Sequence, residues 1–161
     1  MAELSIRLAK DSDAEGLVDL IEGCFNEYEG CVLDPEGIDK PLYAIRSWVE
    51  AEGGEFWVAE DGSRIVGSIG WVKDAGGMEL VKLYVNKKCR RQGLATRLLR
   101  LVEQAAEERG LEINFWSDTR FIEAHNFYTV HGYEKLTETR QLNDPSRTTE
   151  YHFKRVVGRM A

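Results

Sequence analysis

Residues Leu4–Leu8 alternate apolar and polar side chains, as a half-buried strand does. The period then changes. Leu17, Val18, Leu20, Ile21, Cys24 and Phe25 recur at helical spacing, which predicts a first helix over residues 12–27. Ser12 with Glu15 has the spacing of a capping box, and Asp11 and Asp13 suit a helix N-terminus. Residues 28–39 read as a loop with Gly30, Pro35 and Gly37. Pro41, just after Asp39, is a good first-turn residue for a second helix with an apolar stripe of Leu42, Ile45, Trp48 and Val49. Gly53 and Gly54 end it.

The middle of the chain has strand character. Residues 56–60 and 65–73 flank the Asp61-Gly62 turn and predict a hairpin. A second turn, Asp74-Ala75-Gly76-Gly77, leads to a third strand over 78–85, so the block reads as an antiparallel meander. A long amphipathic helix over 93–109 stops at Gly110, and β-forming residues 111–116 follow as a strand. Residues 121–130 have helical spacing, with Gly132 as a left-handed cap. Two strands, 133–142 and 149–156, are joined by the turn-forming Asn143-Asp144-Pro145-Ser146.

The predicted order is β, α, α, β, β, β, α, β, α, β, β. It combines an antiparallel meander with a βαβ unit, which is an α/β (α+β) class with a mixed, mostly antiparallel sheet and helices on both faces. A doubly wound dinucleotide fold is excluded by the lack of repeated βαβ units and of an early GxGxxG turn; no GxxxxGK P-loop is present.

Length changes the picture little: 161 residues fit a single domain spanning 1–161. No apolar run is long enough for a membrane span, and the N-terminus lacks the apolar centre of a signal peptide, so a cytoplasmic protein without membrane association is expected. A formal net charge of −7 argues against general nucleic-acid binding. Cys24, Cys31 and Cys89 are odd in number and show no CxxC spacing, so neither a disulfide framework nor a zinc site is implied. Cys89, among cations near a helix start, reads as a plain loop cysteine.

Charge distribution matters more than its sum. Between residues 82 and 100 the ionised side chains are all cationic: Lys82, Lys87, Lys88, Arg90, Arg91, Arg97 and Arg100. They surround a strand that feeds a glycine-bearing turn into a helix N-terminus, an arrangement that binds anions. One basic segment in an acidic chain points to a small phosphorylated ligand.

Two blocks of this sequence resemble a known family. Arg90-Arg91-Gln92-Gly93-Leu94-Ala95 is similar to the acyl-CoA pyrophosphate signature [QR]-x-x-G-x-[GA] of the GCN5-related N-acetyltransferases. Ala124-His125-Asn126-Phe127-Tyr128, followed by Gly132-Tyr133, resembles the family's A-x-x-[LF]-Y-x-x-x-G-[FY] segment. The element order matches along nearly the whole chain. The resemblance implies an acyl-CoA N-acyltransferase fold of six to seven strands, with acetyl-CoA or coenzyme A as cofactor. Amides from Arg91 to Thr96, including those of Gln92, Gly93, Leu94 and Ala95, would face the pyrophosphate, with Arg90 and Arg91 adding charge. Strand 78–85 would splay from strand 111–116. The pantetheine arm would lie in the gap, with backbone groups around Leu83, Tyr84 and Val85 pairing with it and with the thioester carbonyl. Phe121 stands where many members carry an asparagine that touches the arm.

The implied reaction moves an acetyl group from a thioester to a primary amine by direct transfer in a ternary complex. The ammonium must lose a proton and the departing thiolate benefits from gaining one. Tyr128 occupies the position of the family's proton donor. Glu79 is the candidate base if burial raises its pKa; a solvent-facing glutamate after a turn is the equal alternative. His125, one turn before Tyr128, reads as a surface residue of its helix, and His131 and His152 have no ligand-spaced partners, so no metal is implied.

The acceptor, a small-molecule or peptide amine, is left open, as is a homodimer. In the family it is shaped by the first two helices and their loop. Here that segment carries Glu22, Glu27, Glu29, Asp34, Glu36 and Asp39 with Tyr28 and Trp48. An acidic, aromatic rim suits a cationic amine; a solvated acidic loop accounts for the same residues. A non-catalytic acyl-CoA-binding or sensing module, and transfer of a different acyl group, are the competing readings.

Overall fold

The computed structural model describes residues 4–75 and 77–155. Seven strands form one sheet in the order β1-β2-β3-β4-β5-β7-β6. They are β1 (Leu4–Leu8), β2 (Glu55–Asp61), β3 (Arg64–Asp74), β4 (Gly77–Val85), β5 (Ile113–Asp118), β6 (Tyr133–Gln141) and β7 (Thr149–Arg155). The helices are α1 (Ala14–Phe25), α2 (Ile45–Ala51), α3 (Leu94–Arg109) and α4 (Ile122–Val130). All registered strand pairs are antiparallel except β4–β5. The mixed sheet with helices on both faces is the class read from the sequence.

Side chains sort onto two faces because successive strand residues point opposite ways. Phe56, Val58, Ile65 and Val72 meet Leu17, Ile21, Ile45 and Val49 of α1 and α2. Ala59, Ile69, Trp71, Met78 and Leu80 meet Leu94, Leu98, Leu99 and Val102 of α3 on the other face. β3 is buried continuously over residues 65–72, as a central strand covered on both faces must be.

Several boundaries differ from the sequence reading for physical reasons. Ser12 and Glu15 do not form the expected capping box. Asp11–Asp13 is a 3-10 turn, in which the Asp13 carboxylate accepts the Lys10 N–H at 2.7 Å and binds Arg7 at 2.8 Å. The first helix therefore starts at Ala14 and stops at Phe25, inside the expected 12–27. The second helix is split, a 3-10 turn Lys40–Ala44 preceding α2. Gly93 is not helical but caps α3 with φ 79°. The strand expected at 111–116 begins at Ile113 and runs to Asp118. Leu111 is withheld because its N–H closes the end of α3 on the Ala106 carbonyl at 3.0 Å, while Gly110 takes the left-handed cap at φ 66°. The 133–142 and 149–156 hairpin is present; Val156 and Gly76 lie outside the described residues.

The decisive feature for function is how β4 meets β5. Only Met78↔Ile113 and Glu79↔Asn114 pair; beyond them the strands part. Gly77 sits at the closed end with φ 134°, where a Cβ would come within 2.6 Å of the Glu112 carbonyl oxygen. Further along, Lys82 and Leu83 together oppose Ile69 of β3, a β-bulge in which Lys82 holds φ 56°. The Ser68 hydroxyl donates to the Lys82 carbonyl at 2.7 Å and fixes this unusual backbone.

Candidate functional site

A cavity of about 670 Å³ occupies the gap between β4 and β5 and reaches from the start of α3 to the β6–β7 hairpin. Its wall contains Glu79, Leu83, Tyr84, Val85, Arg90, Arg91, Gly93, Leu94, Ala95, Thr96 and Tyr128. Of the residues expected to be catalytic or to bind the cofactor, Gln92 alone is not in that wall; its side-chain amide donates to the Lys88 carbonyl at 3.4 Å.

At one end, the turn Arg91-Gln92-Gly93 delivers the chain into α3. Arg91 and Gly93 both take positive φ, 61° and 79°. The first helical bond runs from the Arg97 N–H to the Gly93 carbonyl at 3.0 Å. The N–H groups of Leu94, Ala95 and Thr96 therefore have no intrahelical acceptor, and the helix dipole is positive there. A Cβ on Gly93 would meet no protein atom within 4 Å, so that position borders open space. This end can hold an anion through backbone donors.

Its side-chain charges are arranged differently from the expectation. Arg90 is bound by both oxygens of Glu27 at 2.7 Å, and its Nε donates to the Val85 carbonyl at 3.1 Å. Lys82 is bound to Asp39 at 2.7 Å, and Asp39 is only 2% exposed. Two of the cations counted as anion-binding are thus neutralised by acids of the 22–48 segment, whereas Arg91 is exposed. The Val85 carbonyl is likewise taken, also by the Cys24 thiol at 3.6 Å, which leaves the bulged backbone at Leu83 as the less committed part of β4.

The middle of the cavity is aromatic. Tyr128 is 5% exposed, its ring 4.5 Å from that of Phe115 and 5.4 Å from that of Phe153. Burial pushes its phenol well above the ordinary range, and its hydroxyl has no protein partner among the described residues. Because no fully buried polar side-chain atom lacks a partner there, that hydroxyl is open to the cavity. Tyr84 packs edge-on against Phe25 at 5.7 Å, and burial raises its phenol too. The Phe121 ring packs tilted against Tyr28, centroids 4.9 Å apart, and lines the wall as an apolar surface. His125 is not a surface residue of α4: it is half-buried, its Nε2 lies 3.1 Å from the Ser117 hydroxyl, and desolvation lowers its pKa.

At the far end the sheet changes character. The core between the sheet and α1 and α2 contains no residue beyond Tyr84, so this face of β5, β7 and β6 is not covered by those helices. It carries a polar ladder instead. Glu79, across from Asn114, is half-buried, and its carboxylate makes no hydrogen bond or ion pair among the described residues. Burial raises its carboxyl pKa, partly opposed by Arg140 nearby. A solvent-facing glutamate is therefore not what the fold provides. Trp116 stacks on His152, rings 4.2 Å apart, and carries the Arg140 guanidinium 4.4 Å from its centre on the other contact. Glu150 holds Arg140 Nε at 2.7 Å.

The expected acidic rim is absent as such. Asp39 and Glu27 are paired, Asp34 accepts the Ile38 N–H at 3.3 Å, and Glu22, Glu29 and Glu36 are outside the cavity wall. Tyr28 and Trp48 do line it. Sequence reasoning missed Trp116, Arg140 and Glu150, which come together only through the pairing of β5, β7 and β6. It also missed His131, whose Nε2 lies 3.1 Å from the Thr96 hydroxyl while its Nδ1 faces the Phe127 carbonyl at 2.9 Å. Among the described residues no cluster has metal-binding geometry, and no helix is long and apolar enough to cross a membrane.

The fold has counterparts among known proteins. The family model described as "Acetyltransferase (GNAT) domain" matches residues 52–135. N-acetyltransferase 8 of Rattus norvegicus is 39% identical over 71 residues, 40% of this chain and 32% of that protein. The chain spans less than half the length of the curated relatives it matches. Among solved structures, a GNAT-family acetyltransferase from Staphylococcus aureus Mu50 superposes with a TM-score of 0.80 at 23% identity, over 95% of this chain and 98% of that one. The PaiA N-acetyltransferase from Thermoplasma acidophilum, solved in complex with coenzyme A, gives 0.67 at 18% identity, over 94% and 99%.

Proposed function

Because the chain belongs to the GNAT acetyltransferase family, we propose that it is a single-domain, acetyl-CoA-dependent N-acetyltransferase that transfers acetyl directly to a primary amine. The observation that carries this reading is one continuous cavity joining a helix start with free N–H groups to the open hydroxyl of a buried tyrosine and to a half-buried carboxylate. The relative solved with coenzyme A supports the choice of anion.

In this reading the pyrophosphate accepts from the amides at the Arg91–Thr96 turn, and Arg91 adds exposed charge. The pantetheine arm lies in the β4–β5 gap. The bulge at Leu83 supplies the backbone N–H that faces the thioester oxygen as it gains charge. Glu79 takes the proton that the ammonium must lose, since desolvation brings its carboxyl closer to neutral pH than that of an exposed glutamate. The free amine attacks the thioester carbonyl, the tetrahedral centre collapses, and the C–S bond breaks. Tyr128 then donates its phenolic proton to the departing sulfur and regains one from the nitrogen, directly or through water.

The test is thiol release from acetyl-CoA across spermidine, kanamycin, free amino acids and an alanyl tripeptide, with product mass measured. Acetylated amine should appear with at least one of them. Tyr128→Phe should lower kcat about 100-fold with little change in acetyl-CoA affinity. Wild-type turnover in that variant removes the role given to Tyr128; cofactor binding with no acetylated product from any amine supports a non-catalytic acyl-CoA-binding module instead.

A further inference from the structure

The end of the cavity beyond Glu79 has a built cationic feature that the acetyltransferase reading does not use. Arg140 sits on β6 opposite Glu150 of β7 in the strand register. Its guanidinium is constrained twice, by Glu150 at Nε and by the Trp116 face. Trp116 is itself fixed by stacking on His152, whose Nε2 lies 2.9 Å from the Asn114 side-chain oxygen and whose Nδ1 faces Glu138. The ladder runs from β6 through β7 to β5.

A guanidinium has five N–H donors in a rigid fork. Here Nε is used, while Nη1 and Nη2 have no protein partner among the described residues, and the side chain is 40% exposed in the cavity wall. An outward Nη edge on a held guanidinium matches a carboxylate bidentately. The same group is a cationic influence on the Glu79 carboxyl, and both line one cavity. Trp116 supplies apolar surface against Arg140, and Tyr28, Trp48 and Phe121 line the same cavity.

We propose that the acceptor is an amine that also bears a carboxylate, of the α-amino-acid class with an apolar side chain, its amine at Glu79 and its carboxylate on the Nη edge of Arg140. This rests on the acetyltransferase reading and narrows it. It replaces the cationic amine suggested by the acidic 22–48 segment, whose cavity-facing acid Asp39 is already bound to Lys82. An amine with a second cation would place that charge against Arg140; an amino acid places an anion there. The chemistry balances without a further reactant: the ammonium gives one proton to Glu79, its nitrogen bonds the acetyl carbon as the C–S bond breaks, and its second proton passes through Tyr128 to the sulfur, which leaves as the thiol.

The experiment compares L-phenylalanine with L-phenylalaninamide, and both with spermidine, in wild type, Arg140→Gln and Arg140→Lys. Rates are expressed per concentration of unprotonated amine, because the amide is the weaker base. Wild type should favour the carboxylate over the amide by about 30-fold or more, the worth of one charge-assisted bidentate contact. Arg140→Gln should remove that preference, L-phenylalanine losing at least about tenfold more turnover than its amide, with acetyl-CoA affinity unchanged. Arg140→Lys should restore part of it. Acetylation of spermidine or the amide at rates equal to or above L-phenylalanine overturns the proposal but leaves the acetyltransferase reading standing. An equal loss for acid and amide in Arg140→Gln also overturns it. Failure to acetylate any amine in the wider panel overturns the acetyltransferase reading, and this proposal falls with it.

Discussion

The two ends of the cavity are built in opposite ways. The anion end is one contiguous turn: Arg91, Gly93 and the first residues of α3 supply backbone donors within six positions of the chain. The other end is assembled from residues far apart in sequence, with Glu79 on β4, Trp116 on β5, Glu150 on β7 and Arg140 on β6. Backbone donors do not depend on side-chain identity, so the first end tolerates loss of individual charges; two of its nearby cations are bound by Glu27 and Asp39. The second end consists of side chains whose chemistry is set by their neighbours. Under the proposed function, the local device is the one assigned to coenzyme A and the composite one is assigned to the acceptor.

If this contrast holds, the largest effect on cofactor binding comes from backbone geometry. Gly93→Ala places a Cβ on a residue at φ 79°, which costs about 1–2 kcal/mol. The Kd for coenzyme A by calorimetry should rise about tenfold, whereas Trp116→Phe should leave it within about twofold. Equal effects from both would erase the distinction between the two ends.

That asymmetry also explains what could be read from the sequence. The seven strands, four helices and the turn into α3 follow from local periodicity and from glycine and proline placement, and they were legible within a few residues. The start of β5 was misplaced because Leu111 spends its N–H on the end of α3, a cap that periodicity does not encode. Tyr128 and the Arg91–Thr96 turn were legible because their motifs are contiguous. Arg90 was misread as free charge because its partner Glu27 lies 63 residues away. Arg140 and Glu150 carry no local signal, and the polarity of the second end shows only once β5, β7 and β6 are paired.

A smaller effect separates two adjacent arginines. Arg91→Ala removes an exposed charge at the anion end and should weaken coenzyme A binding about fivefold at low salt, less at higher ionic strength. Arg90→Ala breaks a pair with Glu27 and a bond to the Val85 carbonyl. It should lower Tm by more than Arg91→Ala does. The reverse ranking in Tm would show that Arg90 is not the structural member of the two.

The smallest expected effect lies at the second end and is one of stability. The Glu79 carboxyl has a raised pKa in the folded protein because of desolvation. The unfolded chain therefore releases this proton at lower pH than the fold does, and the group's contribution declines as pH rises from the unfolded value through the raised one. Glu79→Gln lacks that loss. Its Tm relative to wild type should be higher at pH 8 than at pH 4, by a few degrees at most. A pH-independent Tm difference would mean that Glu79 is not desolvated.

The most direct test of the divided cavity is an amide titration of 15N-labelled protein with coenzyme A, followed with the indole resonance of Trp116. The account predicts that the amides of Arg91 to Thr96 and those around Leu83 shift together, while Glu150 and the Trp116 indole stay near their free positions. Shifts confined to the β5–β7–β6 ladder, with the Arg91 to Thr96 amides unmoved, would contradict it.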